Sequence, residues 1–298
     1  MLHVIEVLPR ERRRPAYSTP FGFAPSSPVP AVPSHMRRRI CQLGMYSLSS
    51  RPPAHPPGIS SRDAYAVSAE FYDVLQGEAD AAQVRELYGT AVGSARLGVL
   101  DIGAGTGRVT LLGLAESEVG VHAVEPARSM RSALMTRLAS LPADVRGRVT
   151  VHPCSLDEAR LRGVADVAVC HNTLACLDPS SRRRLYPAVA EALSPGGLLL
   201  LHLPPAHLPR TPTVRPLPRQ RLGRHEYGGH MVLSAESGRI RTRFDYWVRD
   251  GTDVVREHTE TFWMWPASRD DVAEELAEHG FTPVPEASDP AVLTVRRE

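Results

Sequence analysis

The chain has 298 residues, of which 42% are hydrophobic, 23% charged and 6% aromatic, a globular composition that excludes collagen-like, fibrous and disulfide-stapled classes. Its 35 basic residues stand against 33 acidic ones and are all arginine, which excludes chemistry that needs a lysine amine, such as Schiff bases, pyridoxal-phosphate attachment or a P-loop lysine. The longest apolar stretch, around Leu198 to Leu203, has strand length and falls far short of the roughly 20 residues of a membrane-spanning helix.

Residues 1–60 hold eight arginines against Glu6 and Glu11, and 11 of the 27 prolines. A Pro/Arg/Ser-rich segment without apolar periodicity buries too little surface to offset its ordering entropy, which predicts a disordered extension over 1–60 and a folded domain over 61–298. A start codon upstream of a true start at Met36 or Met45, a targeting segment, and a basic arm for an acidic partner stay open as its origin. Cys41, Cys154, Cys170 and Cys176 form no C-x-x-C pair; the expectation is no disulfide and no metal, with Cys154 and Cys170 as buried thiols in the reducing cytoplasm.

From Ser61 the pattern alternates. Apolar positions Ala64, Val67, Phe71 and Leu75, then Ala82, Leu87 and Tyr88, predict amphipathic helices between Ser61 and Gly89. Next come a predicted strand at 97–102, helix at 108–115, strand at 119–124, helix at 129–141, strand at 149–152, strand at 165–170, helix at 180–193 and strand at 198–203. Strands apolar throughout and alternating with helices predict a doubly wound α/β domain around a parallel sheet covered on both faces. After a proline-rich break, strand patterns at 229–235, 239–249 and 253–265, joined at Ser237-Gly238 and Asp250-Gly251, predict an antiparallel β insertion after strand 5, within 206–266 on the substrate side. A helix at 269–279 stopped by Gly280, and strands at 281–285 and 291–296, close the chain.

The chemistry-bearing string is Asp101-Ile102-Gly103-Ala104-Gly105-Thr106-Gly107, a strand running into evenly spaced glycines that open a helix, with Glu125 ending the next predicted strand. A dinucleotide fingerprint would read G-x-G-x-x-G without a preceding acid. The string resembles the first motif of class I S-adenosylmethionine-dependent methyltransferases, an acid followed by G-x-G-x-G, and the likeness extends over about residues 64–298. Ser194-Pro195-Gly196-Gly197 is similar to the family's turn before its fifth strand, and the closing helix and strands look like its reversed-strand ending. The resemblance implies a seven-stranded Rossmann-like methyltransferase fold with S-adenosyl-L-methionine as cofactor. It places Gly103, Ala104, Gly105 and Gly107 against the methionine and ribose, with Asp101 organising the loop. Glu125 would take the ribose hydroxyls, and Pro126 and Met130 would border the adenine. Where the family commonly has an Asp and an apolar residue, Ser155-Leu156 stands here, and Ser155 would accept the adenine amino hydrogen more weakly.

Within the family the chain resembles small-molecule N-methyltransferases of natural-product pathways, such as the amino-sugar N,N-dimethyltransferases, on Tyr65, on Ala69-Glu70-Phe71-Tyr72-Asp73, on the insertion, and on Glu257-His258-Thr259-Glu260-Thr261-Phe262. That implies an amine of a small molecule or peptide as substrate. A hydroxyl acceptor and a non-catalytic cofactor-binding partner protein remain as alternatives. The base that keeps the amine neutral is expected at the ends of strands four and five, which offers His171 first, then His202. Both have structural readings, His171 as a cofactor contact and His202 as a packed histidine. Tyr65 and Tyr72 either close over the sulfonium or pack on an amphipathic helix. The insertion adds His225, Tyr227, His230, Glu260, Trp263 and Trp265; the two tryptophans face one side, as a substrate wall or a homodimer surface. Arginine clusters at 37–39, 182–184 and 296–297 read as solvated faces, which argues against nucleic acid as a partner, and no membrane partner is expected.

Overall fold

The computed structural model describes residues 65–285 and 289–298. The predicted extension over 1–60, with Cys41 and the arginines at 37–39, lies outside them. Helix α1 (Ser68–Gly93) leads into β1 (Gly98–Ile102). There follow α2 (Arg108–Glu116), β2 (Gly120–Val124), α3 (Arg128–Ala139), the one-turn α4 (Ala143–Arg146) and β3 (Val149–His152). Next come the one-turn α5 (Leu156–Ala159), β4 (Ala165–Cys170), α6 (Pro179–Ala192) and β5 (Leu193–His202). The insertion contributes β6 (Thr213–Pro216), β7 (Gln220–Leu222), β8 (His225–Glu236), β9 (Arg239–Asp250) and β10 (Asp253–Met264). The chain closes with α7 (Arg269–Ala277), β11 (Phe281–Pro283) and β12 (Val292–Arg297).

Two sheets result. The first has seven strands in the order β11-β12-β5-β4-β1-β2-β3, with β1 to β5 parallel and β12 antiparallel to both its neighbours. Every residue of β1 is buried, as the apolar run predicts for a strand covered on both faces. On one face Tyr186, Leu199, Leu276 and Phe281 pack together, and on the other Tyr88, Val99, Val121 and Leu134. Each such side chain contributes about 1.5–3 kcal/mol by leaving water. Strand order reverses between β1 and β4, so the crevice at their carboxyl ends is where this architecture holds ligands. The antiparallel second sheet runs β10-β9-β8-β6, with β7 also on β8. A third apolar cluster of Phe71, Leu75, Tyr246 and Val248 seats it on α1.

Four details differ from the sequence reading. The segment before β1 is one helix. β5 begins at Leu193, and the predicted turn Ser194–Gly197 is looped out of it, since Ala165 pairs with Leu193 while Val167 pairs with Leu198. β6 and β7 occupy the proline-rich break, where Pro216 is tolerated because β6 is a sheet edge. Of the cysteines read as buried, Cys170 is in the core, but Cys154 is half-buried. Among the described residues no helix is long and apolar enough to cross a membrane.

Candidate active site

β1 delivers the chain into the glycine turn at the crevice, and its three glycines serve different ends. All have positive φ, +71° at Gly103, +56° at Gly105 and +96° at Gly107, a region that side chains disfavour. A Cβ at Gly103 would strike the side chain of Thr173, and one at Gly107 would stand 2.5 Å from Leu134 Cδ1. Gly105 has nothing nearer than the carbonyl oxygen of Gly103, 3.9 Å away, so its open side faces the cavity it lines. Gly107 does not line that cavity; it is the left-handed N-cap of α2, packed against α3.

Asp101 is 2% exposed, and Thr110 Oγ1 donates to its Oδ2 at 2.5 Å, tying β1 to α2. Burial pushes its carboxyl up to about 6. Glu125, at the end of β2, accepts Gly105 N–H on Oε2 and Ala127 N–H on Oε1, both at 2.7 Å. Its carboxylate lines the cavity beside Gly105, where an acceptor for a diol belongs.

The crevice is a cavity of about 1520 Å³, larger than the roughly 300–1,000 Å³ of a site for one ligand, and so has room for a cofactor and an acceptor side by side. At the ends of β1 and β2 it is walled by Asp101, Gly103, Ala104, Gly105, Glu125, Pro126 and Met130, and from α1 by Tyr65 and Tyr72. At the other end are His171, His202, Pro204, Pro205 and the inner face of the insertion. An open glycine cradle, a carboxylate bonded beside it and apolar Pro126 and Met130 fit the nucleoside of S-adenosylmethionine.

Ser155 and Leu156 are absent from the wall. Ser155 caps α5, donating to Glu158 Oε2 at 2.9 Å while its own N–H donates to the same oxygen at 3.0 Å. Leu156 is 3% exposed in the core. The residue expected beside the adenine thus sits on the cap of α5 and off the cavity wall.

His171 leaves β4 just before Asn172, whose φ is +52°. Its ring is enclosed. Tyr88 Oη lies 3.0 Å from Nδ1, Asp80 Oδ1 3.2 Å and the Asn172 side-chain amide 3.0 Å from Nε2. The tautomer in which Nε2–H donates to Asp80 and Tyr88 O–H donates to Nδ1 satisfies both ring nitrogens. Tyr72 O–H donates to the other oxygen of Asp80 at 3.1 Å. Burial pushes the Asp80 carboxyl up, but the hydrogen bonds from His171 and Tyr72 and the charge of Arg108 outweigh it and hold it below the usual range. Burial, then the charge of Asp80, raises the Tyr72 phenol above its ordinary value, so Tyr72 is a donor to Asp80 and no base. His202, with its ring centroid 5.1 Å from that of His171, has no hydrogen bond to its ring among the described residues, and burial and His171 push its imidazole down. It is a neutral acceptor facing the cavity.

Sequence reasoning missed what holds α1 over the cleft. Asp73 accepts from Thr106 Oγ1 and Arg108 Nη2, both at 2.7 Å, and pairs with Arg137 Nη2 at 2.6 Å; Asp80 adds Arg108 Nε at 3.6 Å. Gly77 makes room, since a Cβ there would stand 2.5 Å from Arg108 Nη2. Tyr65, with φ +69°, stacks on Phe262 at 4.6 Å. Of the insertion candidates, Trp263 and Trp265 line the cavity, and the Arg239 guanidinium lies over Trp263 at 3.6 Å. Glu260 instead accepts the Ser68 N–H at 2.7 Å, His230 pairs with Asp245 at 3.1 Å, and Tyr227 packs on Phe71. His225 does not line the cavity.

Residues 100–199 match the family described as a methyltransferase domain. No curated protein matches the chain. Among solved structures, the chain is similar to an S-adenosylmethionine-bound amino pentose methyltransferase of calicheamicin biosynthesis from Micromonospora echinaspora. Identity is 19%, covering 82% of this chain and 100% of that one, with a TM-score of 0.58. It is also similar to DesVI of Streptomyces venezuelae, at 17% identity, 80% and 100% coverage and a TM-score of 0.62. A sugar N-methyltransferase from Streptoalloteichus sp. follows at 20% identity, 86% and 100% coverage and a TM-score of 0.57. These likenesses bear on the fold, which is that of Rossmann-like methyltransferases.

Proposed function

We propose that this S-adenosylmethionine-dependent methyltransferase acts on an amine nitrogen of a small-molecule or peptide natural product. The observation that carries the reading is His202: a neutral imidazole at the acceptor end of the cavity, free of other hydrogen bonds among the described residues. When bound, S-adenosylmethionine supplies a methyl group on a sulfonium. Glu125, Gly105, Pro126 and Met130 would hold its nucleoside, with Tyr65 and Tyr72 bordering the cavity from α1.

A protonated amine has no lone pair to react, so the protein must favour the neutral form. Apolar walls from Met231, Phe262 and Met264 disfavour the charged amine by desolvation. His202 takes the departing proton on a ring nitrogen, a task suited to an imidazole near neutral pH. His171, bonded to Tyr88 and Asp80 of α1, is a positioning residue that keeps α1 closed over the β4 end and excludes water. No covalent intermediate is required; alignment supplies the acceleration.

The test incubates the full chain with methyl-labelled S-adenosylmethionine and matched amine and hydroxyl acceptors, with calorimetry of cofactor binding alongside. Label on nitrogen is expected. Label confined to oxygen, or no cofactor binding, would defeat the reading.

A further inference from the structure

The acceptor end of the cavity differs in character from the cofactor end. Its wall is Met231, Phe244, Phe262, Met264 and Trp265, closed by Pro204 and Pro205 after β5. The rings form a continuous array: Phe262 meets Phe244 edge-on at 5.8 Å and stacks on Tyr65 at 4.6 Å, and Phe244 stacks on Tyr246 at 5.7 Å. Flat apolar surfaces of this kind pack against flat apolar ligands.

The arginines that line the cavity each make bonds within the protein. Among the described residues that line the cavity, the arginines are Arg108 and Arg269. Arg108 is held by Asp73 and Asp80, and Arg269 Nη2 donates to the carbonyls of Pro290 at 3.1 Å and Val292 at 2.7 Å. A diphosphate would need forked guanidinium or ammonium donors that are not already engaged. One further group stands out. Thr242, on β9 opposite Phe262, lines the cavity at 3% exposure, and its Oγ1 is buried without a hydrogen-bond partner. A buried hydroxyl left unpaired is unfavourable, because the water it gave up is not replaced.

We infer that the acceptor is an amine on an aromatic or similarly rigid apolar skeleton free of phosphate, seated on the Phe244/Phe262 wall, with a hydroxyl or carbonyl that pairs with Thr242. This rests on the amine reading above and narrows it. Thr242 is then a specificity residue: it rewards an acceptor that brings a partner and does little for one that lacks it.

The full chain, with methyl-labelled S-adenosylmethionine, is offered tyramine and 5-hydroxytryptamine, their deoxy counterparts phenethylamine and tryptamine, and a nucleoside-diphosphate amino sugar. The expected result is label on the aryl amines, with a lower KM for the hydroxylated pair. Thr242→Val, which keeps the shape, should raise KM for the hydroxylated pair by about 3- to 10-fold, leaving the deoxy pair and the calorimetric Kd for S-adenosylhomocysteine unchanged. Preferential label on the nucleoside-diphosphate amino sugar would overturn the inference and leave the amine reading intact. Label on the phenolic oxygens would overturn the amine reading and leave the skeleton assignment standing. Equal effects of Thr242→Val on both pairs would remove Thr242 as a specificity residue.

Discussion

His171 and His202 lie on adjacent strand ends with ring centroids 5.1 Å apart, and their partners separate their roles. Because burial, with His171, lowers the His202 imidazole below its ordinary 6.5, it is neutral and able to accept a proton at neutral pH, and it loses that ability as pH falls through its own pKa. His202→Gln should therefore lower kcat by about 100-fold, the low end for a proton-transfer residue, while cofactor Kd stays unchanged. The fall of kcat/KM below about pH 6.5 should flatten to whatever the amine's own titration leaves; an identical acid limb in the variant would rule His202 out. Strand-end position offered both histidines from the sequence, but their order followed from hydrogen-bond partners on α1, which sequence spacing does not reveal. Ser155 shows a signal overlooked: Ser155-x-x-Glu158 is the spacing of a capping box, and the serine is spent on that cap.

At the scale of elements, α1 is the part of the site that joins distant sequence. Arg108 is the first residue of α2, where the positive end of the helix dipole opposes a guanidinium. Asp73 and Asp80, seven apart and so on one face of α1, offset that repulsion, with Gly77 between them admitting the side chain. Acids on the buried face of an otherwise apolar helical pattern were the legible sign of this latch. Asp73→Ala strands two partly buried arginines, Arg108 at 14% and Arg137 at 25% side-chain exposure. The expected loss is about 1–3 kcal/mol of stability, between the values for exposed and buried pairs. Faster amide exchange over the first three turns of α1 and weaker cofactor binding should accompany it. Unchanged exchange there would mean that the apolar contacts of Phe71 and Leu75 with the insertion hold α1 unaided.

For the whole molecule, the order of apolar runs was enough to read the parallel sheet, because a strand covered on both faces admits few other patterns, while its reversed ending came from the resemblance to the methyltransferase family. The seat of the insertion was not legible, since it depends on Phe71 stacking on Tyr246 at 4.4 Å, a contact between residues far apart in the chain. At the centre of the assembled sheet stands Asp101, fully enclosed, with its carboxyl raised by burial from 3.8 to about 6. A raised folded-state pKa contributes stability that is fully present below about pH 4 and is lost as pH rises through 6. A rise of that size corresponds to a loss of about 3 kcal/mol at most, at a residue that bonds β1 to α2 through Thr110. Asp101→Asn keeps an oxygen for the Thr110 hydroxyl and removes the titration. The variant should be more stable than the parent at pH 8, with the difference shrinking toward zero at pH 4, as read by denaturant unfolding across that range. Parallel curves for the two proteins would show that the carboxyl titrates at its ordinary value and that Thr110, with the surrounding dipoles, fully offsets its burial.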